Sequence, residues 1–359
     1  MKKLVFVLVS LLLLLIQSGC SKERKATSPG LPAYAGSTTC QKCHADIYAE
    51  YKTTGHAYIL NKVVGGVPPV YPNSSVPNPP SGYSWDDITY VVGGYGWKAA
   101  FLDLNGNFIS GENGQYNIAT RQFVAFQPDT VTGSDAYGQN CARCHTTGYS
   151  SIGHQDNLSG INGTWNEPGV TCEGCHGPGS QHAVAPREFP LPTAIPATIC
   201  GDCHSRHPIN KIQAFDGLIV NYQQYNEMHS DGHHDRQCTD CHDPHKSARY
   251  DPGGAITGRC PDCHPNITIR IPEMANVPCQ DCHMPYSVLS AVTSGTGVHR
   301  RGDVRSHIYF ISNDTTQSQF FGDQSYAYNG LNFACFSTGC HSALDLRFAA
   351  ENSVALHNF

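Results

Sequence analysis

Cys-x-x-Cys-His occurs seven times in this chain: CQKCH from Cys40, CARCH from Cys141, CEGCH from Cys172, CGDCH from Cys200, CTDCH from Cys238, CPDCH from Cys260 and CQDCH from Cys279. An expanded version, CFSTGCH, runs from Cys335 to His341. C-x-x-C-H is the attachment signal of c-type haem: the two thiols add across porphyrin vinyl groups, and the histidine becomes the proximal ligand of the iron. The candidate covalent sites are Cys40, Cys43, Cys141, Cys144, Cys172, Cys175, Cys200, Cys203, Cys238, Cys241, Cys260, Cys263, Cys279, Cys282, Cys335 and Cys340. The candidate proximal ligands are His44, His145, His176, His204, His242, His264, His283 and His341. Paired CxxC segments also mark zinc ribbons, but zinc does not require a histidine directly after every second cysteine, and here each pair has one. These motifs use all of the 17 cysteines except Cys20, which leaves none for a disulfide. The expected cofactor set is eight covalently bound c-type haems.

The start of the chain supports this chemistry. Lys2 and Lys3 precede an apolar run from Leu4 to Ile16, broken only by Ser10, too short for a typical spanning helix and suited to a secretory signal. It ends in QSGC, so residues 1–19 read as a signal peptide and Cys20 as the lipidation site. Residues 20–35 follow as a lipidated flexible tether. Ser21 in place of an aspartate resembles the sorting signal of outer-membrane lipoproteins. The side chains carry a net charge of −6, and haem propionates add to it, which argues against a nucleic-acid partner. Eight haems leave roughly forty residues for each, too few for conventional layers around a core of their own. The haems must be the core. The expected fold is a multihaem cytochrome c, loop-rich with short α-helices and a small antiparallel β-subdomain, the chain wrapped around a stacked haem array. The 35 glycines and 23 prolines fit such a wrap.

Residues 36–140 hold the first motif and a β-rich haem-free insert. A short helix is expected over ADIYAEYKTT, strands and a hairpin turn at Asn105–Gly106 within ITYVVGGYGWKAAFLDLNGNF, and a third strand near Gln122–Phe126. Trp85 and Trp97 suit packing better than a substrate pocket. Residues 141–287 form a six-haem core, because motifs only 19 to 38 residues apart leave no room for independent domains. Residues 288–359 carry a strand-like SHIYFI, the eighth haem and a closing helix with Leu344, Phe348, Ala349 and Leu356 on one face.

The second axial ligand decides what each iron can do: with two histidines it mainly passes electrons, and with one it keeps a position for chemistry. Eleven of the 19 histidines are not proximal. His245, three residues after His242, cannot easily cross to the opposite face of its own haem, so it is expected to ligate a neighbouring iron. The same reasoning applies to His182 in CEGCHGPGSQH, where Gly177–Pro178–Gly179 bends the chain away. His56, His307, His229, His233, His234 and His357 complete the distal candidates, with His154, His207 and His299 as weaker ones. Met274 and Met284 read as packing. No catalytic residue is assigned.

CHTTGY, CEGCHGPGSQH, CGDCHSR, CQKCHADIYAEYKTTGHA, CTDCHDPH, CQDCHMP and RGDVRSHIYFI together resemble the multihaem cytochrome c family related to hydroxylamine oxidoreductase, from Cys40 to Ile311. The resemblance implies that His182, His245 and His56 are distal ligands, with His307 a looser match. Enzymes of the wider superfamily that reduce nitrite or tetrathionate carry a CxxCK motif, which is absent here. The lipid anchor, haem count and acidity look more like envelope cytochromes of metal-respiring bacteria. The expected function is electron transfer through stacked bis-histidine haems, by an exported outer-membrane lipoprotein with a periplasmic or cell-surface face. Redox proteins would be its partners, and its role anaerobic or extracellular respiration. A reductase of a small nitrogen or sulfur oxyanion with one open iron, and a subunit of a cytochrome filament or other homo-oligomer, are the alternatives.

Overall fold

The computed structural model describes residues 31–128, 136–206, 208–209, 211–230, 232–315, 329–336, 339–341, 343, 345–354 and 356–358; the signal segment and Cys20 lie outside them. Among the described residues the longest α-helix is Ala197–His204, with 8 residues. Five of these short α-helices coincide with attachment motifs. Gln139–His145, Cys172–His176, Ala197–His204, Cys260–Cys263 and Cys279–His283 are α-helical, and Cys238–Asp240 is a 3-10 turn. A helical turn suits the motif because positions i, i+3 and i+4 share one face, so both sulfurs and the imidazole project the same way. The turn closes through histidine N–H groups that donate to the first cysteine's carbonyl, at 2.9 Å for His44 and His242 and 2.8 Å for His264. Helices this short do not hold themselves, so packing must hold them.

The haem-free insert supplies an antiparallel sheet in the order β1 (Leu60–Lys62), β2 (Tyr90–Gly93), β3 (Lys98–Leu102), β4 (Gly111–Asn117) and β5 (Gln122–Phe126). The strand β4 was not legible: GENGQYN is rich in residues depleted from strands, and its pairing with β3 overrides that preference. Both faces of the sheet are covered. Val91, Ala99, Phe101 and Tyr116 pack on one side with Tyr71 and Tyr95. Leu60, Tyr90, Ala100 and Leu102 pack on the other with Tyr137, Ala142, Ile161 and Trp165. This explains the near-continuous apolar run in β3. It also seats the Cys141 motif directly on the sheet, through Ala142. At the Asn105–Gly106 turn, Gly106 stands at φ 84°, and a Cβ there would meet Ile161 at 2.6 Å. Trp85 packs against Phe101, while Trp97 donates to the Asp303 carbonyl and lies under the Arg249 guanidinium.

A mixed three-stranded sheet of Ala214–Phe215, Leu218–Val220 and Val288–Leu289 forms the next apolar cluster, with Ile308 and Phe333. SHIYFI therefore contributes Ile308 to a core, and only Ile311 of it is in a strand. The closing helix is Leu346–Asn352, capped by Asp345, whose carboxylate accepts the Phe348 N–H at 2.9 Å. It buries Ala349 and leaves Phe348 exposed. Leu356 lies beyond its end, and Leu344 is outside the described residues.

Candidate haem-iron sites

Six proximal imidazoles each face a second imidazole. The ring centroids are 6.3 Å apart for His44–His182, His56–His204 and His176–His245. They are 6.2 Å apart for His233–His264, 6.1 Å for His242–His307 and 5.7 Å for His283–His357. These rings are too far apart to stack in contact. Two imidazoles on opposite sides of one metal, with bonds of about 2 Å to each nitrogen, have centroids about 6 Å apart. The orientation agrees where both nitrogens are seen: the Nε2 atoms of His283 and His357 face each other at 3.5 Å. The donor set, spacing and flanking thiols fit a c-type haem in each of the six places.

The rings are also held in the form that binds metal. Burial pushes His56 down to about 4 and His307 down to about 3, with neighbouring histidines adding to the effect, and it lowers His204, His242 and His283. A neutral imidazole offers a lone pair, and its other nitrogen sets which tautomer is present. Nδ1–H donates to the Pro192 carbonyl from His176 at 2.7 Å, to Tyr309 from His283 at 2.8 Å and to Phe189 from His182 at 2.9 Å. Each of these bonds leaves Nε2 for the iron.

His182 and His245 thus lie opposite the proximal histidine of another motif. His229 does not face a proximal ring: its Nδ1 donates to the Tyr225 carbonyl at 2.8 Å and its ring lies on Tyr225. His234 is paired with Asp235 on the surface. His154 is exposed and donates to the Ile161 carbonyl, and His207 is outside the described residues.

His145 differs from these six. Among the described residues its ring has Tyr137 as neighbour, with centroids 6.4 Å apart, and no imidazole opposite. Its Nδ1 is buried without a partner, and so is the Tyr137 hydroxyl. Burial, reinforced by the Arg206 charge, lowers His145 to about 4. Arg206 donates through Nε to the Asn221 carbonyl at 2.9 Å and lies over the Tyr222 ring. Both residues line a cavity of about 210 Å³ with Lys98 and Ser290. Lys98 donates to the Ser290 carbonyl at 2.7 Å; burial and then Arg206 lower its pKa.

Sulfur contacts give the order of the motifs. Sulfur atoms lie close enough to interact between Cys40 and Cys172, Cys144 and Cys203, Cys200 and Cys238, and Cys260 and Cys279. Cys175 lies close to Cys200, Cys241 to Cys263, and Cys282 to Cys335 and Cys340. With haem attached these atoms are thioether sulfurs, so their contacts report which haem edges are neighbours. The motifs of His44, His176, His204, His242, His264, His283 and His341 form one file, and the His145 motif branches from it at His204.

Sequence reasoning missed the carboxylates that hold the file together. Glu173, inside CEGCH, is buried and accepts N–H groups from Ala35 and Gly36 at 2.8 Å and from Gly179 at 2.6 Å. Glu167 accepts from Ser37 and Thr171. Glu227 is buried, accepts the His307 N–H at 2.6 Å and is pushed up to about 8 by burial. Each has at least one partner remote in sequence, so no local pattern marks them.

The family model "Cytochrome c554 and c-prime" matches residues 119–177. A stretch of 125 residues, 33% of this chain, is 29% identical to the C-type polyheme cytochrome OmcC of Geobacter sulfurreducens and covers 16% of that protein. The fold is similar to that of the outer cell wall cytochrome OcwA, with a TM-score of 0.56 and 16% identity over 89% of this chain and 86% of that one. It is also similar to the octaheme sulfite reductase MccA of Wolinella succinogenes, with a TM-score of 0.57 and 16% identity over 87% of this chain and 66% of that one. The repeated attachment motif and the facing imidazoles thus accompany a similarity to the cytochrome c554 family over residues 119–177 and a fold like that of multihaem c-type cytochromes.

Proposed function

We propose that the chain is an octahaem lipoprotein that carries electrons along a file of bis-histidine haems at the outer membrane, between redox proteins on either side. The observation that carries this reading is the set of six imidazole pairs with centroids between 5.7 and 6.3 Å apart, strung along motifs whose sulfurs are neighbours. Two histidines on an iron leave it no position for substrate and favour low potential, which suits a carrier. Intact mass and the spin state of the oxidised protein test it. Eight haems with at most one high-spin iron per chain are expected, and several high-spin irons would overturn the bis-histidine file.

A second reading rests on His145. An iron held there from one side would keep a position for a ligand, and Arg206, whose charge acts on His145, supplies positive charge for a small oxyanion. As a side branch, that haem would be fed by the file without interrupting it. Under this reading the oxidised protein shows one stoichiometric high-spin haem whose spectrum changes with nitrite or sulfite. An all-low-spin protein indifferent to both would exclude it.

A further inference from the structure

We propose that His299 is the distal ligand of the haem carried by the expanded motif Cys335–His341, which rests on the reading of CFSTGCH as an eighth attachment site. In the other motifs one helical turn delivers both sulfurs and the histidine. Here the helix Leu331–Phe336 ends just after Cys335, and Cys340 and His341 follow in a turn that includes Gly339 at φ 82°. The 3-10 turn Gly297–His299 packs on this helix. The His299 ring meets Phe336, the residue after Cys335, edge to face with centroids 5.0 Å apart. His299 is thereby held one residue from the first sulfur of the motif. Val298 beside it packs on the apolar cluster of Leu331, Phe336 and Ala349.

The state of the ring points to a ligand. Nδ1 of His299 is buried with no hydrogen-bond partner, the condition also found at His307, which faces His242. A surface histidine would keep both nitrogens in water, whereas this ring is held against Phe336 beside the packed Val298. The turn is firmly placed: Arg300 donates to the Asp216 carbonyl at 2.6 Å, and the Ser294 and Arg301 backbones pair at 2.9 and 3.0 Å. A fixed imidazole next to an attachment site is the arrangement that an axial ligand needs. The neighbouring sulfurs of Cys282 and Cys335 then make this haem the end of the file.

The test compares the mature holoprotein with His299→Ala and His299→Met by intact mass, by counting high-spin ferric haems in electron paramagnetic resonance, and by redox titration. His299→Ala should keep eight haems, gain one high-spin iron per chain over the wild type, and return to the wild-type count when imidazole is added. His299→Met preserves most of the packing and offers a thioether, so it should leave the spin count unchanged and raise the potential of one haem. An unchanged spin count in a fully loaded His299→Ala, or unchanged potentials in His299→Met, would overturn the assignment. Seven haems in the wild type with Cys335 and Cys340 unmodified would instead overturn the eighth attachment site on which it rests.

Discussion

At the scale of residues, the electrostatics is governed by what burial leaves for each group to bond. Glu173 gathers three backbone N–H groups from two separate segments, and Glu173→Ala would leave them unpaired. We expect it to destabilise the holoprotein by roughly 3–5 kcal/mol in denaturant unfolding. Asp156 shows the balance at the edge of the sheet. Burial alone would raise its carboxyl, but hydrogen bonds from Lys62 at 2.8 Å and Tyr90 at 2.5 Å overcome it and hold the group below the usual carboxylate range. A carboxyl depressed in this way stabilises the fold at pH above its unfolded pKa of about 3.9 and ceases to do so as pH falls through its folded value. Asp156→Asn suits the backbone, because φ is 54° there and asparagine tolerates that region. The variant should lose about 1 kcal/mol at pH 7, and its denaturant midpoint should converge on the wild-type value once the pH has fallen below the folded pKa of Asp156.

At the scale of elements, one-turn helices act as attachment clips and the sheet acts as their platform. Two of the clips pack through a small buried residue at a variable position, Ala142 and Gly201. At Gly201, in CGDCH, a Cβ would meet the Tyr225 ring at 2.8 Å, on the helix Gln224–His229 that packs against Ala197–His204. Gly201→Ala should push the two helices apart and cost about 1–3 kcal/mol, read as a lower denaturation midpoint together with an altered spectrum of the His204 haem. The attachment motif could be read from five consecutive residues, because its chemistry is local. The strand β4 could not, since GENGQYN carries little strand preference and takes its form from β3 and β5. The closing helix was legible as an element but not in its extent. Asp345 caps its start, and Leu356, on helical spacing with it, instead precedes the strand pair His357–Asn358 with Thr268–Ile269.

At the scale of the whole molecule, under the proposed function the file of motifs would give electrons one route from the His44 end to the His341 end, with His145 to the side. Of the described residues, no helix is long and apolar enough to cross a membrane; in the proposed function the attachment is a lipid at Cys20. Cys20→Ala should move the mature protein from the membrane fraction to the soluble fraction, and unchanged membrane binding would remove the lipid from the account. The candidate attachment sites and proximal histidines are legible in the sequence alone, because thioether formation and the first iron bond would be served by neighbours in the chain. Tethers even showed that His182 and His245 would turn from their own haems. Only the tertiary structure decided that they face His44 and His176, and that His56 faces His204 across the whole β-rich insert. It alone separated His145, beside Tyr137 and Arg206, from the paired six. A second axial ligand comes from wherever the fold closes over the haem, so its identity follows from packing between distant segments, which no spacing of residues encodes.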